Sequence, residues 1–384
     1  MLTGFRRKIT DALIILALLS AVTALVMFPE QTVAAARDGL KLCANAIVPS
    51  LFPFFVLSSM IAETGAAQRL GRLLEPVMRP LFNVGGNCAV AFALGFVGGY
   101  PVGAGTVISL YENGSCSKTE AERLLSFCNN SGPAFIFGIV GAGVFSSGKI
   151  GLLLYLIHTV ASVVVGILFR RWGKNASLHE PYKSHQTKAP VSFSKAFTGA
   201  VKSAVASSLN ICGFVIFFTI FIKLLFFSGL LTWVAAAIGT VFAPVGFDKA
   251  WAERLLTGII ELTSGVWTLK GAEGQITGSV AMAAFMLGWA GLSVHSQVLS
   301  FIGESGLSVK TYILGKLLQG VISAALVFIA SRVMTLDVPA SYLAQQVNDI
   351  TSLGFLNSLL ISSVGAALLL TAVIIVSRRG KTNR

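Results

Sequence analysis

Long apolar segments separated by short polar stretches run through most of this chain. Six of them are about 17–23 residues long and consist mostly of Leu, Ile, Val, Phe and Ala. An α-helix of that length crosses the hydrocarbon core of a bilayer. The pattern therefore predicts transmembrane helices at 12–28, 43–62, 150–169, 203–225, 311–331 and 355–376.

Four further apolar segments are interrupted by Gly, Pro and polar residues. Irregular backbone cannot face lipid, because its polar groups would lack partners, so these segments must be buried in protein or line a wet cavity. We interpret two of them as re-entrant helical hairpins and two as helices broken within the membrane. The predicted hairpins are 88–110 and 253–272, and the predicted broken spans are 117–145 and 276–292.

Composition and charge agree with a membrane protein and exclude an ordinary soluble domain. Of the 384 residues 54% are hydrophobic and only 12% charged, about half the charged share of a soluble domain. The net charge of +13 comes from basic clusters beside the apolar segments, as the positive-inside rule describes. We therefore expect no nucleic-acid partner, and the lipid bilayer as the surroundings. The fold class is predicted as all-α and polytopic, with about eight transmembrane helices plus two re-entrant hairpins.

The two halves of the chain show the same order of elements. A shift of 163 positions places Gly95 on Gly258, and Ser131-Gly132 corresponds to Ala290-Gly291. Under the charge-derived topology the halves start from opposite sides of the membrane, so we interpret them as an inverted repeat, which is typical of secondary transporters. The predicted organisation is an N-terminal span, a first repeat, a basic cytoplasmic linker, a second repeat, and a C-terminal span with a basic tail, at 1–39, 40–170, 171–202, 203–335 and 336–384.

The N-terminus also has a signal-peptide pattern, because basic residues precede the apolar segment 12–28. The residues that follow this segment, beginning at Phe28-Pro29, make a poor cleavage site. An uncleaved first span is the preferred interpretation, and cleavage near Ala34-Ala35-Ala36 stays open.

The tip of the first hairpin is the first candidate for binding chemistry. Five glycines and one proline fall within 95–105, and such a segment is a poor lipid-facing helix. At a hairpin tip, free N–H groups at a half-helix end can bind an anion or a carbonyl. The candidates are Gly98, Gly99, Tyr100 and Pro101. A tightly packed glycine-rich helix crossing is the alternative interpretation.

The second hairpin places an acidic residue between apolar stretches. An unpaired carboxylate in such a position is expensive, so Glu261 should have a partner, a bound cation or a proton. Thr263 and Ser264 follow it and complete this group of candidates. A glutamate at the membrane interface is the alternative.

The two broken spans supply amide and hydroxyl groups. Asn129, Asn130 and Ser131 precede Pro133, which removes one helical hydrogen bond. The equivalent segment of the second half carries Ser293, His295 and Gln297 beside a glycine-rich break. The asparagines could instead cap a helix or bond to the opposing hairpin, and His295 could be a structural residue.

No catalytic or metal-binding motif accompanies these residues. The chain has neither HExxH nor GxSxG, nor the phosphate-binding pattern GxxxxGK followed by Ser or Thr. Its five cysteines have no zinc or disulfide spacing. We therefore expect a protein that is not an enzyme and holds no resident cofactor.

The order of motifs resembles the nucleoside recognition ("Gate") domain of the YlbJ-type sporulation integral membrane proteins. YPVGA, TEAERLL and NNSGP follow one another in the first half, and the resemblance covers about residues 40–335. More distantly, both halves resemble the concentrative nucleoside transporters, in which the acidic second hairpin and the helix after it contribute to the substrate site. Here ELTSG and LGWAGLSVHS match those two elements. The first hairpin departs from that family, because Gly-Gly-Tyr-Pro stands where a Gln or Glu is usual.

The resemblance implies a secondary transporter of a small polar or anionic solute, with dipicolinic acid during spore formation as the expected substrate. Coupling to a proton or a sodium ion is expected, with Glu261 or His295 able to carry the proton. A nucleoside or nucleobase transporter of the same fold and a non-transporting scaffold of a sporulation complex are the alternatives. The expected location is the cell membrane, with the outer forespore membrane of a spore former as the specific site, and a homo-oligomer stays open.

Overall fold

The computed structural model describes residues 2–63, 76–173, 193–272 and 276–333. Within these ranges every regular element is helical. The predicted last span 355–376, the basic tail and most of the linker 171–202 lie outside the described residues.

The helices of the first half include one helical hairpin and one long π-helical segment. Helices α5 and α6 form the hairpin, and the π-helical segment follows α7 after a break. The elements are α1 Leu2–Met27, α2 Pro29–Leu42, a π-helical turn Cys43–Ile47, α3 Val48–Glu63, α4 Pro76–Phe82, α5 Ala89–Gly98, α6 Val102–Glu112, α7 Lys118–Phe127, the π-helical segment Ala134–Val144 and α8 Gly148–Phe169.

The second half shows the same order of elements. Its hairpin consists of α11 and α12, and its broken helix consists of α13 and α14. The elements are α9 Phe193–Phe227, α10 Leu230–Phe242, α11 Lys249–Ile260, α12 Leu262–Trp267, α13 Ile276–Trp289, α14 Gly291–Ser305 and α15 Val309–Ala330.

Five of the described helices are long and apolar enough to cross a membrane. Two of them contain the spans predicted at 150–169 and 203–225, and a third, Val309–Ala330, covers all but the last residue of the span predicted at 311–331. The other two are Pro29–Leu57 and Ile276–Gly303. The second span therefore begins earlier than predicted, because Pro29 starts a new helix, a position that proline suits, and this helix continues without interruption into α3.

The core joins the two halves of the chain. Helix α15 of the second half packs against α7 and α8 of the first half and against α13 of its own. Small residues permit these close crossings: a Cβ on Gly315 would lie 2.3 Å from the carbonyl oxygen of Ser126. Aromatic side chains fill the space beside this crossing, with the rings of Phe82 and Phe127 stacked at 4.5 Å. This packing holds the two hairpins next to one another.

Candidate functional site

The first hairpin turns at the three residues Gly99, Tyr100 and Pro101, which lie between α5 and α6. Gly99 has a φ of +74°, which favours glycine. A Cβ on Gly99 would also lie 2.9 Å from the backbone nitrogen of Gly132. The tip of the first hairpin therefore rests directly on the helix break of its own half.

The second hairpin turns at a single residue, Glu261, which separates α11 from α12. Its carboxylate caps α12, since it accepts hydrogen bonds from the backbone nitrogens of Thr263 at 3.0 Å and Ser264 at 2.5 Å. The hydroxyl of Ser293 donates to the same carboxylate at 3.4 Å. This buried acid therefore has three hydrogen-bond donors around it.

The second break also packs against the hairpin tip of its own half. Ala290 lies between α13 and α14, and Gly291 begins α14; their φ values are +81° and +82°. A Cβ on Gly291 would lie 2.9 Å from the backbone nitrogen of Leu262. The two glycines that the sequence pairs between the halves, Gly132 and Gly291, thus make equivalent contacts.

One cavity of about 60 Å³ lies where both tips and both breaks meet. Its walls are mostly apolar, with Phe54, Phe55, Phe135 and Phe214 among them. Polar groups come from the two tips and the two breaks. Eight of the predicted site residues line it: Gly98, Gly99, Tyr100, Ser131, Glu261, Thr263, Ser293 and Gln297.

The remaining five predicted residues do not line this cavity. They are Pro101, Asn129, Asn130, Ser264 and His295. Pro101 is the N-cap of α6 and therefore belongs to the turn of the first hairpin. Ser264 donates its backbone N–H to Glu261 at the turn of the second hairpin. The two asparagines and the histidine are buried and make hydrogen bonds within the protein.

The asparagines belong to a buried polar network. The side-chain nitrogen of Asn130 donates to the carbonyl oxygen of Phe127 at 2.8 Å, and its side-chain oxygen accepts from Gln319 at 2.8 Å. The side-chain oxygen of Asn129 accepts a long hydrogen bond, 3.4 Å, from the backbone of Ala104. This network ties the break after α7 to α15 and gives Asn130 hydrogen-bond partners within the protein.

His295 has a similar internal role. Its Nδ1 lies 2.9 Å from the hydroxyl oxygen of Tyr312, and its ring packs edge-on against Trp289 at a centroid distance of 4.4 Å. Of the two residues expected to carry a coupling proton, only Glu261 reaches the cavity.

Ser131 is the clearest unfilled binding group in the cavity wall. Its backbone nitrogen donates to His158 at 3.1 Å. Its hydroxyl oxygen is buried and has no hydrogen-bond partner among the described residues. Because a buried polar atom without a partner is costly, this hydroxyl is available to a bound solute.

Lys316 and Gln319 of α15 are not among the residues predicted from the sequence. Both side chains are fully buried, and Nζ of Lys316 donates to the side-chain oxygen of Gln319 at 2.7 Å. The apolar pattern predicts 311–331 as one uniform span. The sequence nonetheless contains an indication of this pair. Polar residues three positions apart within an apolar span lie on one face of the helix, and ionisable residues within a span often mark a functional site.

Three comparisons with known proteins bear on this architecture. Residues 45–175 match the family described as "Gate: Nucleoside recognition". Two solved structures of the concentrative nucleoside transporter CNTnw, variants in intermediate states, share the fold. One has a TM-score of 0.53 at 15% identity, covering 87% of this chain and 88% of the transporter. The other has a TM-score of 0.55 at 13% identity, covering 85% of this chain and 87% of the transporter.

A curated relative has a higher identity. The sporulation integral membrane protein YlbJ of Bacillus subtilis (strain 168) is 31% identical over 344 residues, which cover 84% of this chain and 83% of the relative. This identity extends over most of both chains, and the helical fold is consistent with it. The chain belongs to the family of the sporulation integral membrane protein YlbJ.

Proposed function

We propose that this protein is a secondary transporter that moves a small polar or anionic solute by alternating access around its two hairpins. The observation that carries the proposal is the cavity where both hairpin tips and both helix breaks converge. Discontinuous helices that meet at one site are how secondary transporters expose polar backbone to a substrate inside the membrane. The transporter fold of the chain supports the same function.

Dipicolinic acid is the substrate that we propose, taken up across the outer forespore membrane during spore formation. Membership of a sporulation family supports the context. The phenylalanine side chains around the cavity offer a flat apolar surface to a planar ring. The unpartnered hydroxyl of Ser131 and the glycine-rich first tip offer donors to carboxylates.

A nucleoside is the second candidate, and Glu261 is the observation that favours it. A carboxylate in the cavity wall can accept hydrogen bonds from sugar hydroxyls. The match of residues 45–175 to a nucleoside recognition family points the same way.

Uptake into liposomes tests the proposal. The purified full chain is reconstituted, and the accumulation of labelled dipicolinate and labelled uridine is followed under imposed proton and sodium gradients. We expect dipicolinate to accumulate against its gradient and empty liposomes to accumulate neither solute. Preferential accumulation of uridine would favour the second candidate. Accumulation of neither solute under either gradient would contradict transport and leave the scaffold alternative.

The two ion gradients also test the coupling ion. We propose a proton as the coupling ion, with Glu261 as its carrier, because this carboxylate is the candidate acid that reaches the cavity. Uptake should then respond to an imposed pH difference in sodium-free buffer. A strict requirement for sodium would reject the proton and keep transport.

A further inference from the structure

Lys316 is a buried cation in the middle of α15. Its side chain is fully buried although the helix is long and apolar enough to cross a membrane. Among the residues whose side chains the structure describes, the one ion pair is Lys249 with Glu253, so none of those carboxylates pairs with Lys316. A charge buried in this way is expensive unless it is compensated, and in membrane proteins such residues mark functional sites.

Three oxygen atoms surround the nitrogen of Lys316. Nζ donates to the backbone carbonyl of Asn129 at 2.8 Å, to the side-chain oxygen of Gln319 at 2.7 Å and to the hydroxyl of Tyr100 at 3.1 Å. It also lies 5.0 Å from the centroid of the Tyr100 ring. The lysine thus holds the first hairpin tip, the break after α7 and α15 together.

The hydrogen-bond pattern around Nζ fits a charged ammonium group. A backbone carbonyl can only accept, and the amide nitrogen of Gln319 is directed to Asn130, so its oxygen faces Lys316. The hydroxyl of Tyr100 donates to the carbonyl oxygen of Leu287 at 2.7 Å, which leaves its oxygen free to accept from Nζ. Three acceptors need three hydrogens, and only the protonated form of lysine has three.

This positive charge lies directly behind the cavity wall. Tyr100 contacts both Lys316 and the cavity, and Asn129 is two residues from Ser131, which also lines the cavity. Glu261 of the cavity wall accepts from two backbone N–H groups and from Ser293, and it is the proposed proton carrier. When Glu261 holds a proton, Lys316 is the charged group beside the cavity among the described residues.

We infer that Lys316 makes the cavity selective for carboxylate-bearing solutes, acting through Tyr100 as a positioning residue. This inference rests on the proposed function of the cavity and deepens it by assigning the charge of the substrate. A solute anion supplies the counter-charge that the surrounding side chains lack, and in a low-dielectric interior that attraction is screened far less than in water.

Two substitutions remove the net charge in different ways. Lys316→Met removes the ammonium group and keeps the length of the side chain. Gln319→Glu keeps the ammonium group and places a carboxylate 2.7 Å from it, in the position of the present amide oxygen. If Lys316 were only structural, the two variants should affect the structure around the cavity in opposite directions. Lys316→Met deletes the hydrogen-bond network, whereas Gln319→Glu adds an ion pair to it. Lys310→Met is the matched control, since it removes an exposed lysine from the same helix.

The readout is binding of two ligands of the same shape, pyridine-2,6-dicarboxylate and its uncharged diamide, to the purified full chain in nanodiscs. We expect the wild type and Lys310→Met to prefer the dianion by at least about tenfold. Both Lys316→Met and Gln319→Glu should lose this preference, while their affinity for the diamide changes by less than about threefold.

Retention of the dianion preference in Gln319→Glu, or in a folded Lys316→Met, would overturn the inference and leave transport intact. Tighter binding of the diamide or of uridine than of the dianion by the wild type would overturn it as well. If the wild type neither binds nor transports any of these solutes, the proposed function itself fails. Melting temperatures identify any variant that does not fold, and in that case Gln319→Glu decides alone.

Discussion

The hydroxyl of Tyr100 donates a hydrogen bond of 2.7 Å to the carbonyl oxygen of Leu287. Tyr100 lies at the tip of the first hairpin and Leu287 in the last turn of α13, so this bond links the first half of the chain to the broken helix of the second. Because the same hydroxyl accepts from Lys316, one atom connects three elements at the edge of the cavity.

Tyr100→Phe should lower stability and weaken solute binding. The change keeps the aromatic ring in the cavity wall but leaves the Leu287 carbonyl and one N–H of Lys316 without a partner. Such losses cost about 1–3 kcal/mol. The melting temperature of the purified protein and dipicolinate uptake report the two effects. Tyr111→Phe, at the far end of the same hairpin, is the control and should change neither. An unchanged melting temperature in Tyr100→Phe would show that these bonds contribute nothing.

Glu261→Gln should abolish uptake without preventing folding. The glutamine amide keeps one oxygen that can accept from the first turn of α12. Its NH₂ group replaces the other oxygen, so a backbone N–H of Thr263 or Ser264 loses its acceptor. Loss of the charge also removes the proposed proton carrier. We expect uptake to fall by more than about tenfold, the rate equivalent of one lost charge-assisted hydrogen bond.

Asp248→Asn is a matched control for the glutamate. Asp248 caps α11 by accepting from the backbone nitrogen of Trp251 at 2.9 Å, and it is exposed. The same acid-to-amide change at this cap should leave uptake near the wild-type rate. If both variants transport normally, Glu261 is a structural cap and the proton carrier lies elsewhere.

The hairpin tips could be predicted from the sequence because their residue types are unusual in a membrane. Glycine and proline crowd the segment that contains Gly99, and Glu261 is an acid between apolar stretches. Both signals are local, and both residues line the cavity. The order of elements in the two halves was predictable for the same reason, since each break carries its own glycine.

The direction of the asparagine side chains could not be predicted. Asn130 bonds to Gln319, which lies 189 positions away along the chain. A polar residue at a break serves equally well as a ligand for a solute or as a partner for a distant helix, and only the packing of α15 against α7 decides between them. Lys316 was missed because the apolar residues around it dominate any average over the span.

Gly95→Ala should destabilise the protein because the two halves of the first hairpin cross there. A Cβ on Gly95 would lie 1.8 Å from the carbonyl oxygen of Cys128, a backbone atom that cannot move aside. Overpacking of this kind costs about 1–3 kcal/mol or more. Thermal unfolding of the purified variant measures the loss.

Gly105→Ala is the control within the same hairpin, since nothing lies within 4 Å of a Cβ at that position. It should be neutral or gain up to about 1 kcal/mol, because alanine favours a helix over glycine. Equal melting temperatures for the two alanine variants would contradict the close crossing of α5, α6 and the end of α7.

Asn130→Ala and Ser293→Ala should separate the buried network from the cavity wall. Asn130→Ala leaves the side-chain nitrogen of Gln319 with only long contacts to His158, while the carbonyl of Phe127 keeps the bond from Ser162, so we expect a loss of about 1–3 kcal/mol in stability. Ser293→Ala removes a cavity hydroxyl and one long bond to Glu261, so it should weaken solute affinity with little change in melting temperature. Measuring both quantities on both variants is decisive. If Asn130→Ala unfolds at the wild-type temperature but loses binding, the asparagine is a ligand for the solute, and the side-chain direction assigned to it is wrong.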